Sequence, residues 1–460
     1  MKVDLSKFFN SYGGYLSKQP DFSKFGKFVI DSRNAQEGDI FVALKGNNTD
    51  GHKFVHEVID KGVSGVIVEH KMEIEHSFQY VVHSTTDFLI ELGAYVRENF
   101  KGDFIGITGS SGKTTTKELL GLILSTKFSI SKAFANMNTD ISLPLFLIND
   151  ADPDSDFVIL ELGVQKPGDM DRLLKISKPS EGIILNIGDS HLEYLKDTKG
   201  VLKEKIKLAY FVASRGGKVF LNSDDHLLKS YGDKIVPEPI YFGLNGEAHV
   251  KGFVEDMSLG HMRMRFEKDL ETVDEVFPFS GVNLAMDMLA AVALAAYSGF
   301  SLQDAVSPLK TFEPVKGRGN LINLAHNITL VDETYNSNPL SAVVSLEALK
   351  SRKDRKLVVI LGDMLELGDE SISGHAKVGK AILQLRPDIL VTYGSFSKEI
   401  ARIARDGGLE NVFSFENRTE IMNFLKELEI FENSIIFVKG SRGMKMEEFV
   451  ETIIERFRNE

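Results

Sequence analysis

The segment that most constrains the fold is residues 104–120. A short apolar run, "FIGI", is followed by the turn "TGSSGKT" and then by the helical pattern "KTTTKELLGLIL". This order of strand, glycine turn and helix places backbone N–H groups and a helix N-terminus around bound phosphate. The strict pattern G-x-x-x-x-G-K-[ST] is not met, because Ile107 stands where a glycine is required. The strand–turn–helix context still favours a nucleotide-binding loop over an incidental glycine turn.

Two side chains of this loop have a predicted role. Lys113 is placed to neutralise the β and γ oxygens of a nucleotide, and Thr114 to ligate Mg²⁺ through its hydroxyl. Motors, switches, kinases and ligases all use such a loop, so the loop alone leaves the reaction open.

The pattern of elements predicts three α/β domains. A chain of 460 residues is too long for one core. We expect a small α/β domain at 1–84 and a central phosphate-binding parallel-sheet domain at 85–313, because continuous apolar strands such as "DFVILELG" alternate with helices. A second doubly wound, Rossmann-like domain is expected at 314–460. Within the central domain, "HMRMRFEKDLETVDEVFPF" alternates as an antiparallel hairpin does.

Composition excludes some function classes. The net charge of −12 argues against nucleic acid as the main partner, and the lack of cysteine excludes thiolate chemistry. No apolar run is long enough to cross a bilayer and none resembles a signal core, so we expect no membrane insertion. A monomeric, cytoplasmic enzyme is the expectation.

Polar residues end two strands of the central sheet. Glu161 closes "VILELG", and Asn186, Asp189 and His191 follow "EGIIL". Ligands of doubly wound sheets collect at the carboxyl ends of the strands, so Glu161 and His191 are candidates to hold a divalent metal beside the phosphates. Taken singly, each has another interpretation: a helix cap or surface charge for Glu161, and a structural histidine for His191.

Lys205 lies on the apolar face of its helix, where a lysine is unexpected. The segment "TKGVLKEKIKLAYFV" forms a helical pattern from about Thr198, in which Lys203 and Lys207 lie opposite the apolar arc. Lys205 falls near the middle of that arc, where a charge needs an anionic partner or a lowered amine pKa. It either snorkels to the surface or, as a neutral amine, reacts with CO₂ to give a carbamate that serves as an extra carboxylate.

At this point the chain resembles the Mur ligase family over nearly its whole length. The family's loop has the form T-G-x-x-G-K-T, which matches 108–114, so the failed strict pattern is the family's own variant. The resemblance implies ATP, two Mg²⁺ ions and a carbamoylated Lys205, with Lys113, Glu161, His191 and Lys205 as catalytic residues. It implies metal ligands at Thr114, Glu161, His191 and Lys205, and nucleotide contacts at Thr108, Gly109, Ser110, Ser111, Gly112, Lys113, Thr114, Thr115, Asn283, Asp287, Arg318 and Asp332.

Other segments resemble the family's substrate-binding regions. "DSRNAQEGDIFVALKGNNTDGHKFV" is similar to its uridine-diphosphate segment, "NMNTDISLP" to a segment near the muramoyl peptide, and "VDETYNSNPLS" and "VKGSR" to parts of the last domain. The substrate-binding residues that this implies are Ser32, Arg33, Lys45, Gly46, Asp50, His52, Asn136, Asn138, Tyr335, Asn336, Asn338, Lys439, Ser441 and Arg442.

The chain departs from the family in its adenine segment. The pattern G-x-H-N-x-x-N reads "GVNLAMD", so Asn283 replaces the histidine and Asp287 the later asparagine. Glu333 replaces the second aspartate of an acidic pair, which leaves Asp332 and Glu333 as alternatives for the acid that binds ribose.

The pairing of "DETYNSNP" with "LGDMLELG" favours the member that adds D-Ala-D-Ala to UDP-N-acetylmuramoyl-tripeptide in peptidoglycan synthesis. That member works through an acyl phosphate, and these two molecules are then the expected substrates. Three alternatives remain: a sister ligase adding one amino acid, a folylpolyglutamate synthetase-like ligase, and a P-loop regulator that makes no bond.

Overall fold

The protein forms three sheets that follow one another along the chain. The computed structural model describes residues 3–16, 20–46, 49–74, 78–134, 137–352 and 354–458. The three-domain α/β architecture is confirmed, with sheets over 15–81, 103–277 and 320–439. The boundaries expected at 84 and 313 stay predictions. Within the described ranges, no helix is long and apolar enough to span a membrane.

The first sheet has the order β1-β5-β4-β3-β2, and only β1 runs antiparallel to its neighbour. Its strands are β1 (Tyr15–Leu16), β2 (Phe28–Val29), β3 (Ile40–Val42), β4 (Gly65–Val68) and β5 (Phe78–Val81), with helices α1 (Ser6–Ser11), α2 (Val55–Asp60) and α3 (Thr85–Arg97). Helix α3 buries Phe88 and Leu92 in a core shared with the central domain. This shared core joins the first two sheets.

The central sheet has the order β14-β13-β12-β11-β10-β9-β6-β8-β7. Its strands are β6 (Asp103–Thr108), β7 (Ile130–Lys132), β8 (Phe157–Glu161), β9 (Glu181–Ile184), β10 (Lys218–Asn222), β11 (Ile240–Gly243), β12 (Val250–Ser258), β13 (His261–Lys268) and β14 (Glu271–Phe277). Its helices are α4 (Lys113–Leu124), α5 (Ser142–Asn149), α6 (Asp169–Ser177), α7 (Leu192–Leu195), α8 (Thr198–Ala213), α9 (His226–Gly232), α10 (Val282–Tyr297) and α11 (Leu302–Val306). Strands β6 to β12 pair in parallel, and β13 pairs antiparallel with β12 and β14. The predicted hairpin is therefore confirmed.

Apolar residues cover this sheet on both faces, as expected. Helix α10, "VNLAMDMLAAVALAAY", is apolar on nearly every side and rich in alanine, so it forms readily and packs as a buried helix against α4. On the other face, α8 packs so closely that a Cβ on Gly106 would lie 3.2 Å from Leu208. Close packing on both sides places the carboxyl ends of β6, β8 and β9 at one rim.

The third sheet has the order β15-β16-β20-β17-β18-β19. Its strands are β15 (Asn320–Leu324), β16 (Ile328–Glu333), β17 (Lys356–Gly362), β18 (Ile389–Tyr393), β19 (Val412–Phe415) and β20 (Ser434–Lys439), and its helices are α12 (Pro339–Ala348), α13 (Ser371–Leu385), α14 (Lys398–Asp406), α15 (Arg418–Glu427) and α16 (Glu447–Phe457). The five parallel strands are those expected from the sequence. The antiparallel edge strand β15 was not predicted, because its five residues, mostly half-buried, lack a clear period.

Candidate active site

A cleft of about 630 Å³ lies between the central and the third sheet. One wall is formed by the loop 110–115, the end of β8 and the start of α10. The opposite wall is formed by 317–319, 333–338 and 439–443. The carboxyl ends of the central strands, where the sequence predicts a ligand site, thus face the last domain across the cleft.

The phosphate-type loop between β6 and α4 is hydrogen-bonded to the segment that follows β9. The Asn186 side-chain oxygen accepts from the Ser111 N–H at 3.0 Å, and the Ser110 hydroxyl donates to the Gly188 carbonyl at 3.1 Å. Gly112 has φ +84°, a conformation that favours glycine, and a Cβ there would lie 2.1 Å from Asp287 Oδ1. Glycine is therefore required at this position both for its conformation and for space.

Asp287 is a buried carboxyl group of α10 that lies against this loop. Burial raises the pKa of Asp287 well above its usual value, and the neighbouring Arg318, Thr116 and Lys113 oppose that shift only in part. A neutral acid resembles an amide in shape and hydrogen bonding, so Asp287 can stand for the asparagine of the family pattern.

Lys113 and Thr114 open α4 at the rim of the sheet. Lys113 Nζ donates to the Gly109 carbonyl at 2.7 Å, and desolvation lowers the pKa of Lys113 to about 8 although Glu161 lies nearby. The Thr114 hydroxyl donates to Glu161 Oε2 at 3.0 Å and accepts from Arg318 Nη2 at 2.9 Å. The two predicted ligands Thr114 and Glu161 are thus in direct contact.

Glu161 is 2% exposed, which excludes the surface-charge interpretation. Its Oε1 lies 3.0 Å from Lys117 Nζ, yet among the described residues no donor reaches it with hydrogen-bond geometry. Such a buried carboxylate oxygen beside a hydroxyl fits Mg²⁺, which prefers oxygen ligands and substrate phosphates. Within the described ranges, no three His, Asp or Glu side chains group as a metal site, so the ligand set of this ion would include nucleotide oxygens.

Lys205 lies beneath the loop rather than at the surface. It is 1% exposed, and its Nζ donates to the Gly109 carbonyl at 3.1 Å. Burial, with a smaller contribution from Lys113, lowers the pKa of Lys205 well below its usual value. The helical-arc prediction is confirmed and the snorkelling alternative is wrong. A lowered pKa favours the neutral amine, which is the form that reacts with CO₂, so the residue fits the carbamate hypothesis without testing it.

His191 joins the central and third domains. Its Nδ1 lies 2.7 Å from Glu366 Oε2, and this hydrogen bond lowers the pKa of Glu366. Both residues have left-handed backbones, with φ +53° and +63°. Lys377 and Asp189 form an ion pair at 2.6 Å across the same junction. His191 therefore has a structural partner in addition to its predicted role as a ligand.

The opposite wall carries cations and one acid that faces the cleft. The Arg318 guanidinium lies 3.9 Å above the Tyr335 ring, and Lys439 Nζ donates to Glu333 Oε2 at 2.9 Å. Successive residues of β16 point to opposite faces, so Glu333 lines the cleft while Asp332 is buried and accepts from the Thr334 hydroxyl at 2.6 Å. Of the two alternatives, Glu333 is the acid in the cleft.

Most predicted site residues line the cleft: Ser110, Ser111, Gly112, Lys113, Thr114, Thr115, Asn138, Glu161, His191, Asn283, Asp287, Arg318, Tyr335, Asn336, Asn338, Lys439, Ser441 and Arg442. Asn338 also caps α12 through Ser341, and the Ser441 hydroxyl donates to the Ser337 carbonyl. Four predicted residues lie behind the lining, namely Thr108, Gly109, Lys205 and Asp332. Thr108 is buried and donates to the Leu162 carbonyl at 2.8 Å. The roles of all these residues stay predictions.

The predicted uridine-site residues lie in the first domain and not in this cleft: Ser32, Arg33, Lys45, Gly46, Asp50 and His52. Arg33 is exposed and paired with Asp31, whereas His52 is buried between the Asp50 carboxylate, at 2.7 Å, and the Glu69 N–H, at 2.9 Å. The prediction at Asn136 lies outside the described residues.

Sequence reasoning missed Lys117, Ser345 and the hairpin residues 257–259. Lys117 lies one helical turn beyond Lys113 on the buried face of α4, so helical periodicity indicates its burial as it does for Lys205. The hairpin 257–259 reaches the cleft from the far end of the central sheet, and no local pattern reports such a contact.

Three family models match successive parts of the chain, and curated relatives match most of its length. Residues 27–101 match the Mur ligase family catalytic domain, 107–295 the Mur ligase middle domain, and 317–442 the Mur ligase glutamate ligase domain. UDP-N-acetylmuramoyl-tripeptide–D-alanyl-D-alanine ligase of Synechocystis sp. is 32% identical over 88% of this chain and 86% of its own. The ligase of the same name from Bacillus subtilis is 28% identical over 93% of each chain.

Solved structures give the same result. MurF from Acinetobacter baumannii matches with a TM-score of 0.87 and 30% identity over 96% of each chain. MurF ligase from Thermotoga maritima in complex with ADP matches with a TM-score of 0.84 and 26% identity, covering 94% of this chain and 98% of that one.

The fold and the cleft define a three-domain α/β protein with its phosphate-type loop at the rim of the central sheet. One relative and one solved structure, at 32% and 30% identity, match this chain over 86% and 96% of their own lengths. The chain belongs to the Mur ligase family.

Proposed function

We propose that this chain is an ATP-dependent ligase that joins D-Ala-D-Ala to UDP-N-acetylmuramoyl-tripeptide and so forms the pentapeptide precursor of peptidoglycan. The observation that carries the proposal is similarity to ligases of that name over 86–94% of both chains. The cleft between the second and third domains supports it, because a nucleotide loop and a cationic wall face each other there.

The reaction has two steps. The terminal carboxylate of the tripeptide attacks the γ-phosphorus of ATP, which forms an acyl phosphate and releases ADP. The amine of D-Ala-D-Ala then attacks the acyl carbon, and the tetrahedral intermediate expels inorganic phosphate as the amine loses its proton. Protein nucleophiles are not required, in agreement with the absence of cysteine.

The residues of the cleft stabilise the charge that these steps bring together. Lys113 lies at the start of α4 and offsets the negative charge of the transferred phosphoryl group. Arg318 contacts Thr114 from the last domain and adds a second cation at the same end. Mg²⁺ bound to Thr114 and Glu161 would polarise the phosphate oxygens. His191 and a carbamoylated Lys205 would help to hold a second ion.

We further assign 1–84 to the uridine-diphosphate part of the substrate, 85–313 to ATP and 314–460 to the incoming amine. Glu333 replaces Asp332 as our candidate for the ribose contact, because only Glu333 lines the cleft.

Phosphate release and product mass test the proposal. Purified protein is supplied with ATP, MgCl₂ and UDP-N-acetylmuramoyl-tripeptide, and single amino acids or D-Ala-D-Ala are added in turn. We expect phosphate release and a pentapeptide mass with D-Ala-D-Ala alone. Turnover with a single amino acid would indicate a sister ligase. Addition of glutamate to a folate would indicate a folylpolyglutamate synthetase-like ligase. ATP hydrolysis without any acceptor would indicate a regulator.

A further inference from the structure

Lys117 is a buried cation to which the proposed reaction gives no task. Its side chain is 0% exposed on α4, one turn beyond Lys113. Burying an ammonium group without partners costs several kcal/mol, so its contacts indicate what it does. Lys117 Nζ donates to the Ala133 carbonyl at 2.6 Å and lies 3.0 Å from Glu161 Oε1 and 3.4 Å from Glu118 Oε1.

Lys117 and Thr114 hold the two oxygens of one carboxylate. The Thr114 hydroxyl donates to Oε2 of Glu161 at 3.0 Å, and Lys117 Nζ lies 3.0 Å from Oε1 as an ion pair without hydrogen-bond geometry. These two residues are three positions apart on α4, so they project from the same face of a rigid helix. The terminal torsion of a glutamate is a broad, roughly two-fold rotor, and contacts at both oxygens restrict it to one orientation.

A chain of charged groups continues outward from this point. Glu118 faces Lys117 with one oxygen and contacts Lys132 with the other. Lys132 is partly exposed, whereas Lys117 and Glu161 are buried. The inner pair therefore differs from an ordinary surface ion pair. The outer pair, between Glu118 of α4 and Lys132 of β7, offers a comparison that shares Glu118.

We propose that Lys117 is a positioning residue that orients the Glu161 carboxylate for the divalent cation accompanying the nucleotide. The inference rests on the proposed function in one respect, that Glu161 serves a metal bound with ATP. Lys117 itself does not touch the nucleotide or the cation. A purely structural role is the competing explanation, in which Lys117 only ties α4 to β7 through the Ala133 carbonyl.

The test measures the Mg²⁺ dependence of ADP binding by calorimetry in Lys117→Gln and Lys117→Met. Mutation of a residue that holds a metal ligand in place typically lowers metal affinity 10–100-fold. We expect the MgCl₂ concentration for the half-maximal gain in ADP affinity to rise about tenfold, while ADP affinity in EDTA changes less than about twofold. Lys117→Gln keeps an amide donor for the Ala133 carbonyl, so it carries the test if Lys117→Met fails to fold.

The matched control is Lys132→Gln, which breaks only the outer pair with Glu118 and should leave the Mg²⁺ dependence unchanged. A lowered melting temperature with wild-type Mg²⁺ dependence in both Lys117 variants would overturn the inference. ADP binding needs no amine acceptor, so the two proposals fail separately. A wild-type protein that forms no pentapeptide refutes the proposed ligation, whereas an unshifted Mg²⁺ dependence refutes only the role of Lys117.

Discussion

The amine of Lys205 and the carbonyl of Gly109 are joined by a hydrogen bond of 3.1 Å, although 96 positions separate them in the chain. Helix α8 thereby supports the phosphate-type loop from within the core. Lys113 donates to the same carbonyl at 2.7 Å, so two amines meet at one backbone oxygen. Burial lowers the pKa of both amines, and the charge of Lys113 lowers that of Lys205 further.

Replacing Lys205 should remove activity without removing the fold. We expect Lys205→Met to lower kcat at least about 100-fold, as loss of a transition-state charge contact does. Its melting temperature should not fall, because an apolar side chain of similar length replaces a buried amine. In Lys205→Ala, high Mg²⁺ with a small carboxylic acid should restore part of the activity if a carbamate is present.

Lys203→Met is the matched control, since Lys203 is exposed on the same helix. Wild-type turnover in Lys205→Met would refute the catalytic assignment. An unmodified Lys205 mass together with full activity in CO₂-free buffer would refute the carbamate.

Lys113→Ala should abolish turnover while leaving the fold intact. The amine donates to the Gly109 carbonyl of the loop, and in the proposed reaction its positive charge offsets the negative charge of the transferred phosphoryl group. We expect kcat/KM to fall by about 1,000-fold, with the circular dichroism spectrum unchanged. Lys127→Ala, beyond the far end of α4, is the control and should retain activity. A loss below tenfold would contradict the assignment.

Gly112→Ala should weaken nucleotide binding through strain in the loop. A residue with a Cβ at φ +84° adds backbone strain of roughly 1–2 kcal/mol. The added carbon would also lie 2.1 Å from Asp287 Oδ1. We expect ADP affinity to fall at least about tenfold, measured by calorimetry. Gly168→Ala is the control, because Gly168 has φ +90° with no atom within 4 Å, and so adds the backbone strain without the collision. Equal binding by Gly112→Ala and wild type would disprove this account.

His375 should make the third domain sensitive to acid. Its ring is fully buried, its Nε2 accepts from the Met364 N–H at 3.0 Å, and its Nδ1 contacts the Ser371 carbonyl. Desolvation lowers the pKa of His375 below the usual 6.5. The unfolded chain therefore binds the proton first, and stability is lost as pH falls from about 6.5 toward the folded-state pKa.

The measurement is the melting temperature of wild type and His375→Gln between pH 7.5 and 5. We expect the wild-type melting temperature to decline more steeply below pH 6.5, since glutamine cannot take up a proton. His226→Gln, at an exposed histidine, should decline as wild type does. Parallel curves for wild type and His375→Gln would contradict the prediction.

The sequence by itself determined the elements whose signal is local. The loop 108–114, the strand before it and the helix after it follow from glycine placement and the spacing of apolar residues. The burial of Lys205 follows from helical periodicity alone, because a residue's face is set by its position along the helix. Helical periodicity also places Lys117 on a buried face, but it does not identify the carboxylate that Lys117 contacts.

Only the tertiary structure decided which distant residues meet. Arg318 reaches Thr114 across 204 positions, and Glu366 reaches His191 from another domain. Alternation along β16 separates Asp332 from Glu333, but the face that borders the cleft depends on how the domains pack. Local patterns record the faces of an element, whereas its neighbours are selected by packing of the whole chain, which no local pattern contains.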